Sequence, residues 1–215
     1  MTNRIIRPRR SFIFTPGLRP DMFPKALASG ADIVCVELED GIAPKDKAEA
    51  RKNALALFEQ PQADDGVERM VRINSMRERF GIEDVNAILA TKTPPPALMM
   101  PKVRTPDEVV ILDQLLTEAG HSSRLHVIIE TNEGLEAAYA IAKCSDRIDA
   151  LFFGLPIIFT ELSFLNFSKP YSSILLSCFS IFFIPKSRIN LIDLAKATTS
   201  AVCIVPASNL VGESA

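Results

Sequence analysis

The hydrophobic and polar positions of this chain alternate regularly between residues 11 and 154. Short apolar runs predict β-strands, and longer segments with apolar residues at helical spacing separate them. The predicted strands span residues 11–16, 32–38, 69–74, 97–102, 125–130 and 148–154. Strands that alternate with helices are typical of a parallel sheet with helical crossovers, so the pattern predicts an α/β fold.

The segments between the strands carry helix start and stop signals. Pro20 lies near the start of the first helix, and Gly30 lies just past its end. A capping box at residues 105–108 opens the fourth helix, and Gly120 closes it. Two further helices are predicted over residues 45–58 and 134–144, and another is marked by Ile82, Val85, Ile88 and Leu89. This rhythm, together with the acids and the arginine at the strand ends, favours a barrel over a doubly wound sheet.

The character of the sequence changes after Gly154. Residues 155–215 hold seven charged side chains, whereas residues 1–154 hold the other 43. We therefore expect a barrel portion over residues 1–154 and a divergent segment over residues 155–215. The longest uncharged apolar run in that segment, residues 174–184, is too short to span a bilayer, so no membrane partner is expected.

Part of the divergent segment regains a regular pattern. Residues 189–199 predict a helix, and residues 201–206 predict a strand.

The candidate chemistry lies where the predicted strands end. Glu39 and Asp40 follow the second strand, Arg72 lies near the end of the third, and Glu130 ends the fifth. If these strands are neighbours in a barrel, the four side chains converge at one mouth. An arginine among carboxylates suits an anionic substrate, and a glutamate at a strand end suits Mg²⁺.

Each of these residues has a structural alternative. Arg72 could pair with Glu39 or Asp40, and Glu130 could cap the helix that follows it. His121 and His126 lie at the start of the fifth strand, at the opposite end from the predicted mouth, so a surface or packing role is expected for both.

Composition narrows the class of protein. The formal net charge of −2 and the isoelectric point near 5.8 favour no nucleic-acid partner. The first ten residues are not a cationic start followed by an apolar run, so no signal peptide is predicted. The four cysteines show no metal spacing and fit free thiols in a cytoplasmic protein.

Several segments, in order and spacing, resemble one family. They are RRSFIFTPGLRPDMFPKALASGADIVCVELEDGIAPKDKAEAR (9–51), VRIN (71–74), MMPKV (99–103), IIETNEG (128–134) and ALFFG (150–154). Together they resemble the HpcH/HpaI aldolase and citrate lyase beta-subunit superfamily, on its citrate-lyase-like branch. The resemblance implies a TIM barrel of the phosphoenolpyruvate/pyruvate type, usually in a homo-oligomer.

The resemblance also implies an activity. Members make or break C–C bonds in short 3-hydroxy acids or their CoA thioesters, such as citryl-CoA or malyl-CoA, through a metal-stabilised enolate, and they use Mg²⁺. The pyruvate-aldolase branch has a histidine in the loop after the second strand. The corresponding residues 41–45 contain none, which favours the CoA-thioester branch.

Carried over by position, the resemblance assigns roles to the four residues. Arg72 would be catalytic and bind the substrate carboxylate. Glu130 would ligate Mg²⁺ and contact substrate. Glu39 and Asp40 would line the catalytic site and hold the metal's waters or orient Arg72.

Two departures from the family pattern concern the second half of the chain. The family's second metal ligand is an aspartate, and Ile157 and Ile158 stand where it is expected. A closing eighth strand is not found, and residues 187–206 are similar to the family's sixth helix and seventh strand. We therefore expect an incomplete barrel of about six to seven βα units.

The composition break at Gly154 suggests the hypothesis that residues 155–186 derive from a frameshift or an unspliced stretch. The sequence thus predicts a Mg²⁺-dependent carbon–carbon lyase. The alternative is a catalytically impaired homologue, or a partial barrel, that retains an anion-binding pocket.

Overall fold

A computed structural model describes residues 9–154 together with residues 205 and 206. The predictions for the helix at 189–199, the departures at Ile157 and Ile158 and the missing eighth strand lie outside the described residues. Of the strand predicted over 201–206, the last two residues are described, and they form a strand.

Strands and helices alternate along the described chain. The strands are β1 (Phe12–Pro16), β2 (Ile33–Glu37), β3 (Glu68–Arg72), β4 (Ala97–Met100), β5 (Arg124–Ile129), β6 (Ile148–Phe153) and β7 (Val205–Pro206). The α-helices are α1 (Phe23–Leu27), α2 (Lys47–Ala56), α3 (Arg79–Ala90), α4 (Pro106–Glu118), α5 (Asn132–Glu136) and α6 (Ala138–Lys143). Short 3₁₀ turns, Pro20–Met22 and Pro44–Asp46, lead into α1 and α2.

The order of strands in the sheet is their order in the chain, from β1 to β7. Strands β1 to β6 are parallel, and β7 pairs antiparallel with β6. The predicted α/β class with a parallel sheet is therefore confirmed. Over the described residues the sheet is not closed, which agrees with the expected incomplete barrel.

Several helix ends form as the sequence indicates. Gly30 and Gly120 both have positive φ angles, 82° and 73°, which favour glycine after a helix. Glu108 accepts hydrogen bonds from the backbone N–H groups of Arg104 and Thr105, so the capping box holds the start of α4.

One predicted helix is wrong in its continuity. The segment predicted as a single helix over 134–144 forms two short helices, α5 and α6, separated at Ala137, where φ is −89° and ψ is 0°. An apolar period alone does not reveal such a break.

The described chain divides into two compact units. Among the described residues, the first comprises 9–100 and 112–125, and the second comprises 101–111, 126–154, 205 and 206. The core of the first unit comprises buried residues of β2, β3, β4, α2 and α3. These residues include Ile33, Val34, Met70, Leu98, Met99, Ala50, Ala54, Val85 and Ile88.

The second unit has its own buried residues on β5, β6 and α6, among them Val127, Ile129, Phe152 and Ile141. Across the described residues, no helix combines the length and the apolar character that a membrane crossing requires.

Candidate functional site

The candidate site in the first unit forms around Arg72, the last residue of β3. The parallel register pairs Arg72 with Glu37, the last residue of β2, and with Met99 of β4. Side chains at the carboxyl ends of parallel strands project at the edge where α/β folds bind ligands. Arg72 therefore lies where the sequence predicted a site.

Two carboxylates hold the guanidinium of Arg72. Its Nε donates to Oε2 of Glu37 at 2.6 Å, and its Nη2 lies 2.5 Å from the same oxygen. Its Nη1 lies 3.3 Å from Oε2 of Glu39. Glu37 and Glu39 are buried, whereas the side chain of Arg72 keeps 13% of its surface exposed. The cation is thus fixed from one side while part of it reaches solvent.

Phe14 of β1 supports Arg72 through its aromatic ring. The guanidinium carbon lies 4.6 Å from the ring centroid, which is a cation–π contact. The ring of Phe14 in turn packs against that of Phe12, with centroids 4.6 Å apart. The aromatic pair and the two carboxylates together restrict how Arg72 can move.

Burial and neighbouring charges shift the pKa values of Glu37 and Arg72 in opposite directions. Burial raises the pKa of Glu37, and the nearby Arg72 only partly offsets this effect. Burial also opposes the charge of Arg72, but the carboxylates of Glu37 and Glu39 outweigh it and raise the pKa of Arg72. Arg72 is therefore a permanent cation.

A buried lysine holds the backbone that carries Glu39. Nζ of Lys47, the first residue of α2, donates to the carbonyl oxygens of Leu38 at 2.7 Å and Glu39 at 2.6 Å. It also donates to Oδ1 of Asn74 at 2.6 Å. Burial lowers the pKa of Lys47, and the surrounding carboxylates, Asp84 first among them, counteract that shift.

A second layer of hydrogen bonds fixes Asn74. Its Nδ2 donates to Leu38 O at 2.9 Å and to Oδ2 of Asp84 at 2.7 Å, and its backbone N–H donates to the same Oδ2. Arg51 of α2 donates to Oδ1 of Asp84 at 2.6 Å. Buried polar groups that are satisfied in this way make a local structure rigid.

Asp40 differs from its neighbours in the predicted cluster. It lies in the turn after β2 and is exposed, whereas Glu37 and Glu39 are buried. The sequence indicated that Arg72 could pair with Glu39 or Asp40. The structure confirms the pairing with Glu39, and it shows a closer contact between Arg72 and Glu37.

Glu130 lies in the second unit, directly after β5, and is half-buried. Its Oε1 accepts a hydrogen bond from the backbone N–H of Lys102 at 2.9 Å. Lys102 has a φ of 53°, in the left-handed region that a non-glycine residue seldom adopts. This conformation directs the amide of Lys102 at the carboxylate.

The turn after Glu130 is held to the same loop. Thr131 caps α5 by accepting from Gly134 N at 3.0 Å, and its hydroxyl donates to Val103 O at 3.2 Å. A Cβ on Gly134 would come within 2.3 Å of Val103 O. Only glycine permits this close approach of α5 to the loop after β4.

Residues of the second unit thus hold the carboxylate of Glu130 at the end of β5. The predicted convergence of Glu130 with Glu39, Asp40 and Arg72 remains a prediction. A carboxylate oxygen held at the end of a strand fits Mg²⁺, which binds one or two protein carboxylates together with water and substrate oxygens. Glu130 is therefore a suitable donor for that ion.

The two histidines have packing environments. The Nε2 atom of His121 lies 3.1 Å from Ile88 O. His126 is fully buried, and its ring lies 5.7 Å from that of Phe152. The position of His121 agrees with the expected packing role, and the role of His126 stays a prediction.

Three site residues were not assigned a role from the sequence: Glu37, Lys47 and Asn74. Glu37 had a usable signal, because it shares a strand face with Glu39 and immediately precedes the strand end. Lys47 and Asn74 had none, since a lysine at a helix start normally extends into solvent.

The residues match a known sequence family. The model of the HpcH/HpaI aldolase/citrate lyase family matches residues 10–156. The L-malyl-CoA/beta-methylmalyl-CoA lyase of Cereibacter sphaeroides is 35% identical over 156 residues, which cover 69% of this chain and 48% of that protein. Citrate lyase subunit beta of Escherichia coli is 27% identical over 162 residues, covering 72% and 52%. This chain spans about half the length of such relatives.

Solved structures agree with the sequence match. RipC from Yersinia pestis superposes with a TM-score of 0.54 at 34% identity, covering 67% of this chain and 57% of that chain. The Mycobacterium tuberculosis citrate lyase beta subunit complexed with oxaloacetate and magnesium gives a TM-score of 0.55 at 28% identity, covering 71% and 60%.

Proposed function

We propose, from the premise that this chain belongs to the HpcH/HpaI aldolase/citrate lyase family, that it is a Mg²⁺-dependent carbon–carbon lyase. Its substrate would be a short 3-hydroxy acid or the CoA thioester of one, of the malyl-CoA or citryl-CoA type. Relatives with 35% and 27% identity are a malyl-CoA lyase and a citrate lyase subunit. They support the class of reaction.

The observation that carries the proposal is the fixed cation at the end of β3. A guanidinium has more N–H donors than its contacts with Glu37 and Glu39 use, so Arg72 can still bind an anion. Because the carboxylates and Phe14 already hold it in place, little side-chain entropy is lost when a substrate carboxylate binds. Arg72 would therefore bind and orient the substrate.

The two acids after β2 have different tasks in this proposal. Glu39 is buried and 3.3 Å from Arg72, so it orients the cation. Asp40 is exposed at the same strand end and would line the entrance, where it can hold water. Neither role requires direct bonding to a metal ion.

Glu130 would hold Mg²⁺ through its carboxylate. Mg²⁺, when bound, supplies a Lewis acid that stabilises the negative charge developing as the C–C bond breaks. The hydrogen bond from the amide of Lys102 fixes the rotation of the Glu130 carboxylate before any ligand arrives.

The test is cleavage of malyl-CoA and citryl-CoA by the purified full chain, with and without Mg²⁺. We expect Mg²⁺-dependent turnover that falls in Arg72→Lys and in Glu130→Gln. Arg72→Lys keeps the charge but cannot contact two carboxylates and a substrate in the same planar geometry. Arg79→Lys, at an exposed arginine of α3, is the matched control and should retain wild-type turnover.

A second candidate function rests on the isoleucines at positions 157 and 158, where the family pattern has an aspartate. With one carboxylate ligand fewer, the chain would bind a carboxylate at Arg72 without turning it over. Calorimetry with L-malate separates the two functions. Malate binding that Arg72→Lys abolishes, without turnover of either thioester, would favour this second function.

We also propose a cytoplasmic homo-oligomer. Cys35 and Cys144 are free thiols among the described residues, which fits a reducing compartment. Light scattering of the purified chain tests the assembly, and a monomer at micromolar concentration would contradict it.

A further inference from the structure

The contacts of the first unit form a continuous path from helix α2 to the guanidinium of Arg72. Lys47 Nζ donates to Leu38 O, and the N–H of Glu39 in the same peptide donates to Oε1 of Glu37, whose Oε2 accepts from Arg72 Nε. Each step is a hydrogen bond between groups that are buried or largely buried. The path links Lys47, at the start of α2, to the orientation of Arg72 at the end of β3.

Lys47 has the properties of a rigid support. It is only 7% exposed, and its three hydrogen-bond acceptors, Leu38 O, Glu39 O and Asn74 Oδ1, match the three donors of an ammonium group. Nζ also lies 5.8 Å from the ring centroid of Phe80. Because all three of its N–H donors are hydrogen-bonded, the ammonium group is held in this position.

Lys47 holds the backbone of Leu38 and Glu39 at the point where the chain leaves the sheet. Leu38 and Glu39 follow β2 directly, where the chain leaves the sheet and regular strand hydrogen bonds end. The carbonyl of Leu38 and the N–H of Glu39 belong to the same peptide, so the hydrogen bond from Lys47 to Leu38 O helps to set the direction of that N–H. That peptide supplies the N–H that fixes one oxygen of the Glu37 carboxylate.

We propose that Lys47 is a positioning residue for the anion site. It holds the Leu38–Glu39 backbone, and through Glu37 it holds the orientation in which Arg72 meets a carboxylate. The inference rests on the proposed role of Arg72 as the substrate anchor. It adds a residue outside the strand ends, on the helix behind them.

The test uses Lys47→Met, which keeps the length of the side chain but removes its donors and charge. Two readouts are measured on the full chain: L-malate affinity by calorimetry, and water exchange of the Arg72 Nε–H by NMR, assigned with Arg72→Lys. We expect malate affinity to fall by about tenfold or more and the Nε–H to exchange faster.

A control separates positioning from general loss of stability. Val85→Ala removes buried methyl groups from α3, outside the path, and lowers thermal stability without altering these hydrogen bonds. It should leave malate affinity within about twofold of wild type and the exchange unchanged. If Lys47→Met does not fold, Lys47→Gln, which retains part of the donor set, replaces it with the same expectation.

The outcomes are distinct. A folded Lys47 variant with wild-type malate affinity and slow Nε–H exchange overturns the inference. If wild-type chain binds no malate, the proposed anchor role of Arg72 fails, while the exchange of its Nε–H still decides whether Lys47 positions it. Equal effects of Lys47→Met and Val85→Ala would also overturn the inference, because stability alone would then explain them.

Discussion

Arg72 Nε donates to Oε2 of Glu37 at 2.6 Å, and the two residues are direct register partners at the ends of β3 and β2. Register partners on adjacent parallel strands present their side chains on the same face of the sheet. The pair is therefore built into the strand alignment and does not depend on loop conformation. The contribution of this pair to the free energy of unfolding can be measured without any ligand. The dependence of that contribution on pH can be measured in the same way.

Removing the cation of this pair should destabilise the fold. Arg72→Met leaves Glu37 as a buried carboxylate without its main partner, and we expect a loss of about 3–5 kcal/mol in the free energy of unfolding at neutral pH. Arg79→Met, at an exposed arginine, should change it by no more than about 0.5 kcal/mol. Urea denaturation measures both.

The same variant should show a characteristic dependence on pH. Burial raises the pKa of Glu37, so the folded state binds its proton more tightly than the unfolded state does. The stability contributed by protonation is present below the ordinary glutamate pKa and is lost as pH rises through the raised value. The defect of Arg72→Met should therefore shrink as pH is lowered, and a defect independent of pH would contradict this account.

For Asp32 we expect the opposite dependence of folding stability on pH. Its carboxylate accepts from the side chain of Arg10 and from the backbone N–H groups of Arg10 and Ser11, and the Arg10 contact foremost lowers the pKa of Asp32 to about 2. A lowered pKa stabilises the fold above the ordinary aspartate value, and this contribution disappears as pH falls toward about 2.

Asp32→Asn should accordingly be less stable than wild type at neutral pH, and the difference should decline as the medium is acidified. Urea titrations at successive pH values measure it. Asp64→Asn, at an exposed loop position, makes the same change in net charge and serves as the control. A constant difference between wild type and Asp32→Asn across the acid range would exclude this role for Asp32.

Glu130→Gln should weaken Mg²⁺ binding by at least about tenfold, because a neutral amide is a poorer ligand for a hard cation than a carboxylate. Mn²⁺ can replace Mg²⁺ as a probe whose bound fraction is read by electron paramagnetic resonance. Glu133→Gln is the matched control, since Glu133 is exposed on α5. Equal Mn²⁺ affinity in wild type and Glu130→Gln would remove Glu130 as a metal ligand.

Lys102 offers a test of backbone strain beside Glu130. Because its φ is 53°, Lys102→Gly should raise the free energy of unfolding by about 1 kcal/mol, and Lys102→Val should lower it by about 1–2 kcal/mol. Mn²⁺ affinity should persist in Lys102→Gly, since glycine keeps the amide that donates to Glu130. A loss of affinity there would assign the function to the lysine side chain instead.

Much of this architecture is determined by the sequence alone. The apolar runs of β2, β3 and β5 and the glycines at positions 30 and 120 predict strands and helix ends, because local periodicity and backbone preference act over a few residues. The acids and the arginine at the strand ends also point to the edge of the sheet where the candidate site lies. These features need no knowledge of distant contacts.

Only the tertiary structure decided which side chains contact one another at that edge. Glu37, rather than Asp40, takes the closest position to Arg72 because the β2–β3 register aligns their strand-terminal residues. Lys47 turns inward at the start of α2, where the carbonyl oxygens of Leu38 and Glu39 and the side-chain oxygen of Asn74 accept its hydrogen bonds. Such choices depend on register and on buried acceptors, which arise only when elements far apart in the chain are packed together.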